Sequence, residues 1–131
     1  MRIGVPNTLC RRYLQSGAMH ELAISESIIG LVVDCARRER ITRVSRVVVE
    51  IGVAASVDPE ALLFCFPIAA AETAAANAEL VINRIALRVR CESCRAEYAP
   101  EVPLAPCPAC GSFAREILAG REMRVASFDG E

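Results

Sequence analysis

Two Cys-x-x-Cys pairs near the C-terminal end restrict the possible folds of this chain more than any other feature. Cys91 and Cys94 form the first pair, Cys107 and Cys110 form the second, and twelve residues separate the pairs. Two residues between cysteines let a tight turn aim both sulfurs at one point, and the spacer suits a short hairpin. Four sulfurs so arranged match the tetrahedral coordination of structural zinc. The pattern predicts a zinc-ribbon module with four cysteine ligands, and leaves open a rubredoxin-like iron site or thiol redox chemistry.

The seven cysteines indicate metal binding rather than a disulfide framework. The N-terminal residues lack the apolar segment of a secretory signal. We therefore expect a cytoplasmic protein, in which thiols stay reduced and clustered cysteines usually hold metal. Cys35 and Cys65 fall on the apolar faces of two predicted helices and are interpreted as core residues. The pattern assigns no role to Cys10.

The composition predicts a folded protein that does not span a membrane. Hydrophobic residues make up 53% and charged residues 24% of the chain, which excludes wholesale disorder. The longest apolar run, Ala61–Ala71, is shorter than the roughly 20 residues of a spanning helix. A net charge of −1 argues against nucleic acid as the main partner, because a protein that neutralises phosphates normally has a surplus of basic residues. A nucleic-acid-binding or regulatory zinc ribbon stays open as an alternative, since four arginines could line one surface: Arg84, Arg88, Arg90 and Arg95.

Hydrophobic periodicity predicts an α+β fold, with two helices on a three-stranded sheet. Apolar residues at steps of three and four indicate the first helix, and Asp58-Pro59 is typical of the start of the second. The predicted helices are 21–40 and, after the N-cap Asp58, 59–76, and the predicted strands are 44–51, 79–90 and 115–128.

The same patterns predict three regions along the chain. Residues 19–90 and 112–131 form the α+β domain, and residues 91–111 form the zinc-binding module inserted between its second and third strands. Residues 1–18 have no clear period and are interpreted as a disordered or mis-called N-terminal extension.

From Met19 onward the sequence resembles the HypA/HybF family, accessory proteins that supply nickel during the maturation of nickel–iron hydrogenases. The resemblance extends in order over residues 19–128, and its motifs together are specific although each alone is not. The matching segments are Met19–Ser25, Val47–Gly52, Asp58–Leu62, Phe64–Phe66, the two cysteine pairs and Gly120–Val125.

The resemblance implies a nickel site at the start of the mature family chain. His20 would be the principal ligand, and Met19 and Glu21 would contribute main-chain nitrogens. Ni²⁺ accepts square-planar nitrogen donors of this kind. Asp58 matches a family position whose acid is proposed to approach the nickel, and its alternative role is the N-cap of the second helix.

The resemblance also implies a metallochaperone, not an enzyme, with Ni²⁺ as cargo and Zn²⁺ as a structural ion. One histidine leaves little for general acid–base catalysis. The implied partners are the maturation GTPase of the same pathway, the hydrogenase large subunit and, for some members, urease accessory proteins; no membrane or nucleic-acid partner is expected. Because residues 1–18 would place the amine of Met19 in a peptide bond, we predict that the functional chain begins at Met19.

Overall fold

The computed structural model describes residues 1–5, 21–102 and 104–131. The chain divides into two compact units. Unit 1 consists of Met1–Glu50, Val57–Asn83 and Met123–Glu131, and unit 2 consists of Ile51–Ser56 and Arg84–Glu122. Unit 2 therefore contains both cysteine pairs together with flanking residues on either side of 91–111.

The first helix of unit 1, α1, spans Glu21–Arg38, close to the predicted range. Glu21 lies in its first turn and Arg37 and Arg38 lie in its last, which complements the helix dipole. Its buried apolar side chains follow the predicted stripe: Ile24, Ile28, Leu31, Val32 and Cys35.

The second helix, α2, spans Pro59–Ala70 and begins as predicted. Asp58 is its N-cap, and the Asp58 carboxylate accepts a hydrogen bond from the Glu60 backbone N–H at 3.0 Å. A proline at the first helical position suits this start, because its missing N–H would have no partner within the helix. Leu62 and Phe66 carry the buried face of the helix.

The expected extension of α2 to about Ala76 is wrong. Ala71 leaves the helical conformation, with φ −53° and ψ 136°, and Glu72 has a positive φ of 64°. The Thr73 hydroxyl donates a hydrogen bond of 2.6 Å to the Ala70 carbonyl. This side chain therefore provides a partner for one of the carbonyls at the C-terminal end of the helix. Alanine favours a helix but does not determine its end, which is why the composition was misleading.

Among the described residues, no helix is both long and apolar enough to cross a membrane.

The sheet of unit 1 has four strands, not the expected three. β2, Val44–Gly52, and β3, Glu79–Ile85, were predicted approximately, and β7 spans Met123–Gly130. The additional strand is β1, Arg2–Gly4, in a region for which no regular structure was expected. The order is β1-β7-β2-β3, and β1 is antiparallel to β7. Three residues are too few to show a period of two, so only pairing with β7 identifies this strand.

Unit 2 has its own three-stranded sheet, with the order β5-β4-β6. β4 is Arg88–Cys91, β5 is Glu97–Tyr98 and β6 is Arg115–Ala119. The predicted strands 79–90 and 115–128 therefore each divide between two sheets. The second division falls at Gly120, whose φ of 114° ends the extended conformation.

Candidate metal centres

The two cysteine pairs adopt the same backbone turn. The N–H of Arg95 donates to the Cys91 carbonyl at 3.0 Å, and the N–H of Gly111 donates to the Cys107 carbonyl at 2.8 Å. Both residues have positive φ, 68° for Arg95 and 75° for Gly111. The cysteine spacing predicts a tight turn in each pair, and the structure has both turns. The repeated geometry directs the two sulfurs of each pair toward one shared point.

The four sulfurs of Cys91, Cys94, Cys107 and Cys110 all lie within 4.8 Å of one another. The Sγ atoms of Cys91 and Cys110 are 3.5 Å apart, and those of Cys94 and Cys107 are 3.6 Å apart. These separations are too long for disulfides and match the roughly 3.8 Å edge of a tetrahedron with zinc–sulfur bonds of about 2.3 Å. The cluster therefore fits a zinc ion, and four thiolates would leave it no open position.

Hydrogen bonds and burial shift the pKa values of two thiols of this cluster in opposite directions. The backbone N–H of Cys94 donates to Cys91 and is the largest cause that lowers the pKa of Cys91 to about 6. The backbone N–H of Ser112 acts in the same direction on Cys110, but the other cysteines and burial prevail and raise the pKa of Cys110 to about 12. A divalent cation would bind and stabilise the deprotonated form of each of the four thiols.

The arginines that suggested a nucleic-acid surface are partly paired with acids in unit 2. Arg88 lies 3.6 Å from Glu97, and Arg90 lies 3.9 Å from Glu97 and 3.6 Å from Glu116. Glu97 is on β5 and Glu116 is on β6, the two neighbours of the strand that carries both arginines. These ion pairs reduce the positive potential that phosphate binding requires.

The candidate nickel site is only partly within the described residues. Met19 and His20 lie outside them, and Glu21 is the first residue of α1. A Glu21 carboxylate oxygen accepts a hydrogen bond of 3.2 Å from the backbone N–H of Asp58. The start of α1 thus contacts the N-cap of α2. The family resemblance implies only a main-chain role for Glu21, so this side-chain contact was not predicted. The two residues are 37 positions apart, and such a contact leaves no local signal in the sequence.

The remaining cysteines are apart from the cluster. Cys35 is buried in α1, as predicted, and burial raises the pKa of its thiol. Cys65 on α2 is only half-buried, so the interpretation of a core residue holds less well there. Cys10 lies outside the described residues.

Comparison with known proteins decides the family. The family described as "Hydrogenase/urease nickel incorporation, metallochaperone, hypA" matches residues 19–130. The chain belongs to the HypA family. The HypA match begins at Met19 and includes both the Met-His-Glu sequence and the four clustered cysteines, whereas residues 1–18 lie outside it.

Individual HypA proteins are similar over nearly their whole length. The hydrogenase maturation factor HypA of Geotalea uraniireducens is 37% identical over 113 residues, which are 86% of this chain and 100% of the relative. That of Chlorobaculum tepidum is 44% identical over 110 residues, 84% of this chain and 97% of the relative. The solved structure entitled "Solution structure of the Ni metallochaperone HypA from Helicobacter pylori" has a TM-score of 0.64 at 27% identity and covers 86% of this chain and 97% of that one.

Proposed function

We propose that this protein binds Ni²⁺ at its Met19-His20-Glu21 sequence and delivers it during hydrogenase maturation. The HypA match over residues 19–130, which begins at this sequence, is the observation that carries the proposal. The metal is cargo in this role, so the protein needs to bind and release nickel without changing it. We place this activity in the cytoplasm.

The donor atoms of this sequence suit Ni²⁺. The α-amine of Met19, the amide nitrogens of His20 and Glu21 and the His20 imidazole form a set of nitrogen donors within three residues. Ni²⁺ prefers such donors in a square plane and stands high in the Irving–Williams order. The amine becomes a donor by losing its proton, and its pKa of about 8 makes this accessible near neutral pH. This donor set requires a chain that begins at Met19.

The contact between Glu21 and Asp58 supports a contribution of Asp58 to the nickel site. The Glu21 carboxylate and the Asp58 backbone lie within hydrogen-bond distance, so the N-cap of α2 adjoins the residue that follows His20. Both carboxylates add negative charge, which favours a dication in the same region. Asp58 would then both cap α2 and approach the metal.

The cluster of four cysteines would hold a structural zinc ion in unit 2. The sulfur separations support a dication bound to all four thiolates. The zinc would stabilise the β5-β4-β6 region, because the strands of this small sheet contribute only Val89 and Cys91 to the buried core.

Nickel titration of zinc-loaded protein tests the nickel site. The chain of residues 19–131 should bind Ni²⁺ much more tightly than the chain of residues 1–131, and His20→Ala should remove the difference. Calorimetry measures both affinities, with zinc content held equal in all samples. Equal affinity in the two chains would refute the role of the amine, and unchanged affinity in His20→Ala would refute the site.

Two substitutions at Asp58 separate its two roles. Asn is as good an N-cap as Asp but carries no charge. Asp58→Asn should therefore weaken nickel binding while leaving the free energy of unfolding nearly unchanged. Asp58→Ala should in addition lower the free energy of unfolding by about 1 kcal/mol. If Asp58→Asn binds nickel as tightly as the parent chain, Asp58 is an N-cap only.

The family also suggests the partners of the nickel-loaded protein. We propose the GTPase of the same maturation pathway and the hydrogenase large subunit, with urease accessory proteins as a further destination. Nickel transfer from loaded protein to each purified recipient, followed with a radioactive nickel isotope, distinguishes them. Transfer to none would refute the delivery role while leaving the nickel site itself intact.

A further inference from the structure

The edge strand β1 and its two flanking residues, Met1 and Val5, form hydrogen bonds with β7. The register pairs Arg2 with Asp129, Ile3 with Phe128 and Gly4 with Ser127. The Met1 ammonium donates to the Gly130 carbonyl at 3.0 Å, and the Gly130 N–H donates back to the Met1 carbonyl at 2.9 Å. At the other end, the Val5 N–H donates to the Ala126 carbonyl at 3.1 Å. The pairing thus extends from the first residue of the chain to the fifth.

Two cross-strand pairs of side chains, one on each face of the sheet, join β1 to β7. The Arg2 Nε donates to a carboxylate oxygen of Asp129 at 3.1 Å, and this contact is the first cause that holds the pKa of Asp129 below its usual range. Ile3 is half-buried opposite Phe128, which is fully buried, so both side chains lie on the core face of the sheet. Arg2 and Asp129 therefore lie on the opposite face.

The position of Gly4 places little restriction on the type of residue that can pair there. No described atom lies within 4 Å of a Cβ built at Gly4, so that position accepts a side chain. The strand that pairs with β7 is therefore selected by two features: a basic residue opposite Asp129 and, directly after it, an aliphatic residue opposite Phe128. Backbone hydrogen bonds supply the remaining affinity, as in other cases of strand addition to a sheet edge.

The HypA match begins at residue 19, so it has no counterpart of β1. Without β1, the strand order makes β7 an edge strand with unpaired backbone groups, and Phe128 loses the cover of Ile3. An open edge beside an apolar side chain readily pairs with another chain. A chain that begins at Met19 would present this edge.

We propose that the edge of β7 is a binding site for an extended segment of a partner protein, with a basic residue opposite Asp129 and an aliphatic residue opposite Phe128. Residues 1–5 occupy the site within the 131-residue chain. Removal of residues 1–18 opens the site to the partner segment. This site is independent of nickel binding and stands whether or not His20 binds nickel.

Swapping the charges of Arg2 and Asp129 tests whether this ion pair holds β1 against β7. The measurement is amide hydrogen exchange in the full, zinc-loaded chain. The Gly130 amide should be protected from exchange in the parent chain, since it donates to Met1. Arg2→Asp alone and Asp129→Arg alone should each reduce this protection several-fold, and the two together should restore it. Glu101→Arg, in unit 2, makes the same charge change as Asp129→Arg and should have no effect. Failure of the double variant to recover would overturn the role of this ion pair.

Binding by a separate strand tests the site itself. The family match begins at Met19, and two HypA relatives are matched over 97–100% of their own length, so ¹⁵N-labelled, zinc-loaded residues 19–131 serve as the receptor. The amidated peptide Met-Arg-Ile-Gly-Val at millimolar concentration should shift the resonances of residues 126–130. Substitution of its Ile by Asp should abolish binding, and substitution of its Gly by Thr should not weaken it.

The same titration includes the results that would overturn the proposal. The peptide should not bind the 1–131 chain, in which the site is occupied. Absent or scattered shifts in the 19–131 chain would refute the site. A stable dimer of the 19–131 chain that the peptide does not dissociate would show that a second copy closes this edge, and would refute an open site for a partner.

Discussion

Arg95 and Gly111 occupy equivalent positions in the two cysteine turns, and only one of them suits its backbone. Both have positive φ, which costs a residue with a Cβ about 1 kcal/mol relative to glycine. Arg95→Gly should therefore raise the stability of the zinc-loaded module by about 1 kcal/mol. The measurement is the chelator concentration at which half the zinc is released.

Gly111→Ala is the matched control for this prediction. No described atom lies within 4 Å of a Cβ at Gly111, so the substitution adds conformational strain without a clash. It should release zinc at a lower chelator concentration than the parent chain. Opposite shifts for the two variants would confirm that the turn conformation, and not contact with neighbours, limits the stability of each turn.

Loss of a single cysteine ligand should remove the zinc. Cys94→Ser and Cys107→Ser each replace a soft thiolate by a hydroxyl, which binds zinc weakly. Both variants should contain less than one zinc per chain by metal analysis. A full zinc complement in the double variant would contradict a site with four cysteine ligands.

At the scale of elements, a close approach of two segments within unit 2 requires Gly52. A Cβ at Gly52 would lie 2.0 Å from the Gly120 carbonyl oxygen and 2.6 Å from the Arg121 nitrogen, both backbone atoms. Because backbone must move to admit a methyl group, Gly52→Ala should lower the free energy of unfolding by about 3 kcal/mol. Gly30→Ala in α1 meets no described atom within 4 Å and should instead raise it by about 0.5–1 kcal/mol. Urea unfolding of zinc-loaded protein measures both.

The docking of β1 should depend on pH through Asp129. Its pKa lies below the ordinary 3.8, first because Arg2 donates a hydrogen bond to it, with Arg46 and the Met1 ammonium adding positive charge. A lowered pKa means that this stabilisation is fully present above about pH 4 and is lost as the pH falls through the lowered value. Carbon NMR should find a higher pKa for Asp129 in Arg2→Met than in the parent chain, and equal values would contradict the pairing.

At the scale of the whole molecule, the two compact units should respond separately to loss of zinc. Both helices belong to unit 1, whereas all four clustered cysteines belong to unit 2. Removal of zinc with a chelator should therefore unfold the β5-β4-β6 region and leave most of the helical circular-dichroism signal intact. Loss of most of that signal would show that unit 1 requires the zinc-bound module.

Much of the site could be predicted because its information is local. The spacing of Cys91 and Cys94, and of Cys107 and Cys110, determines a turn within a few residues, and the structure brings these four sulfurs together. Asp58 before Pro59 likewise marks the start of α2 by local chemistry. The positions of the Met19 amine and the His20 side chain lie outside the described residues, so the nickel site stays a prediction.

The features that could not be predicted depend on residues far apart in the chain. Residue order alone decides where α1 and α2 begin, which cysteines cluster and which family the chain resembles, because periodicity, capping and ligand spacing act over a few positions. Only tertiary structure decides that Arg2–Gly4 is a strand, that the predicted strand 79–90 divides between two sheets, and that Glu21 contacts Asp58. The physical reason is that a strand satisfies its backbone groups through a partner strand, and the identity of that partner is a property of the whole fold.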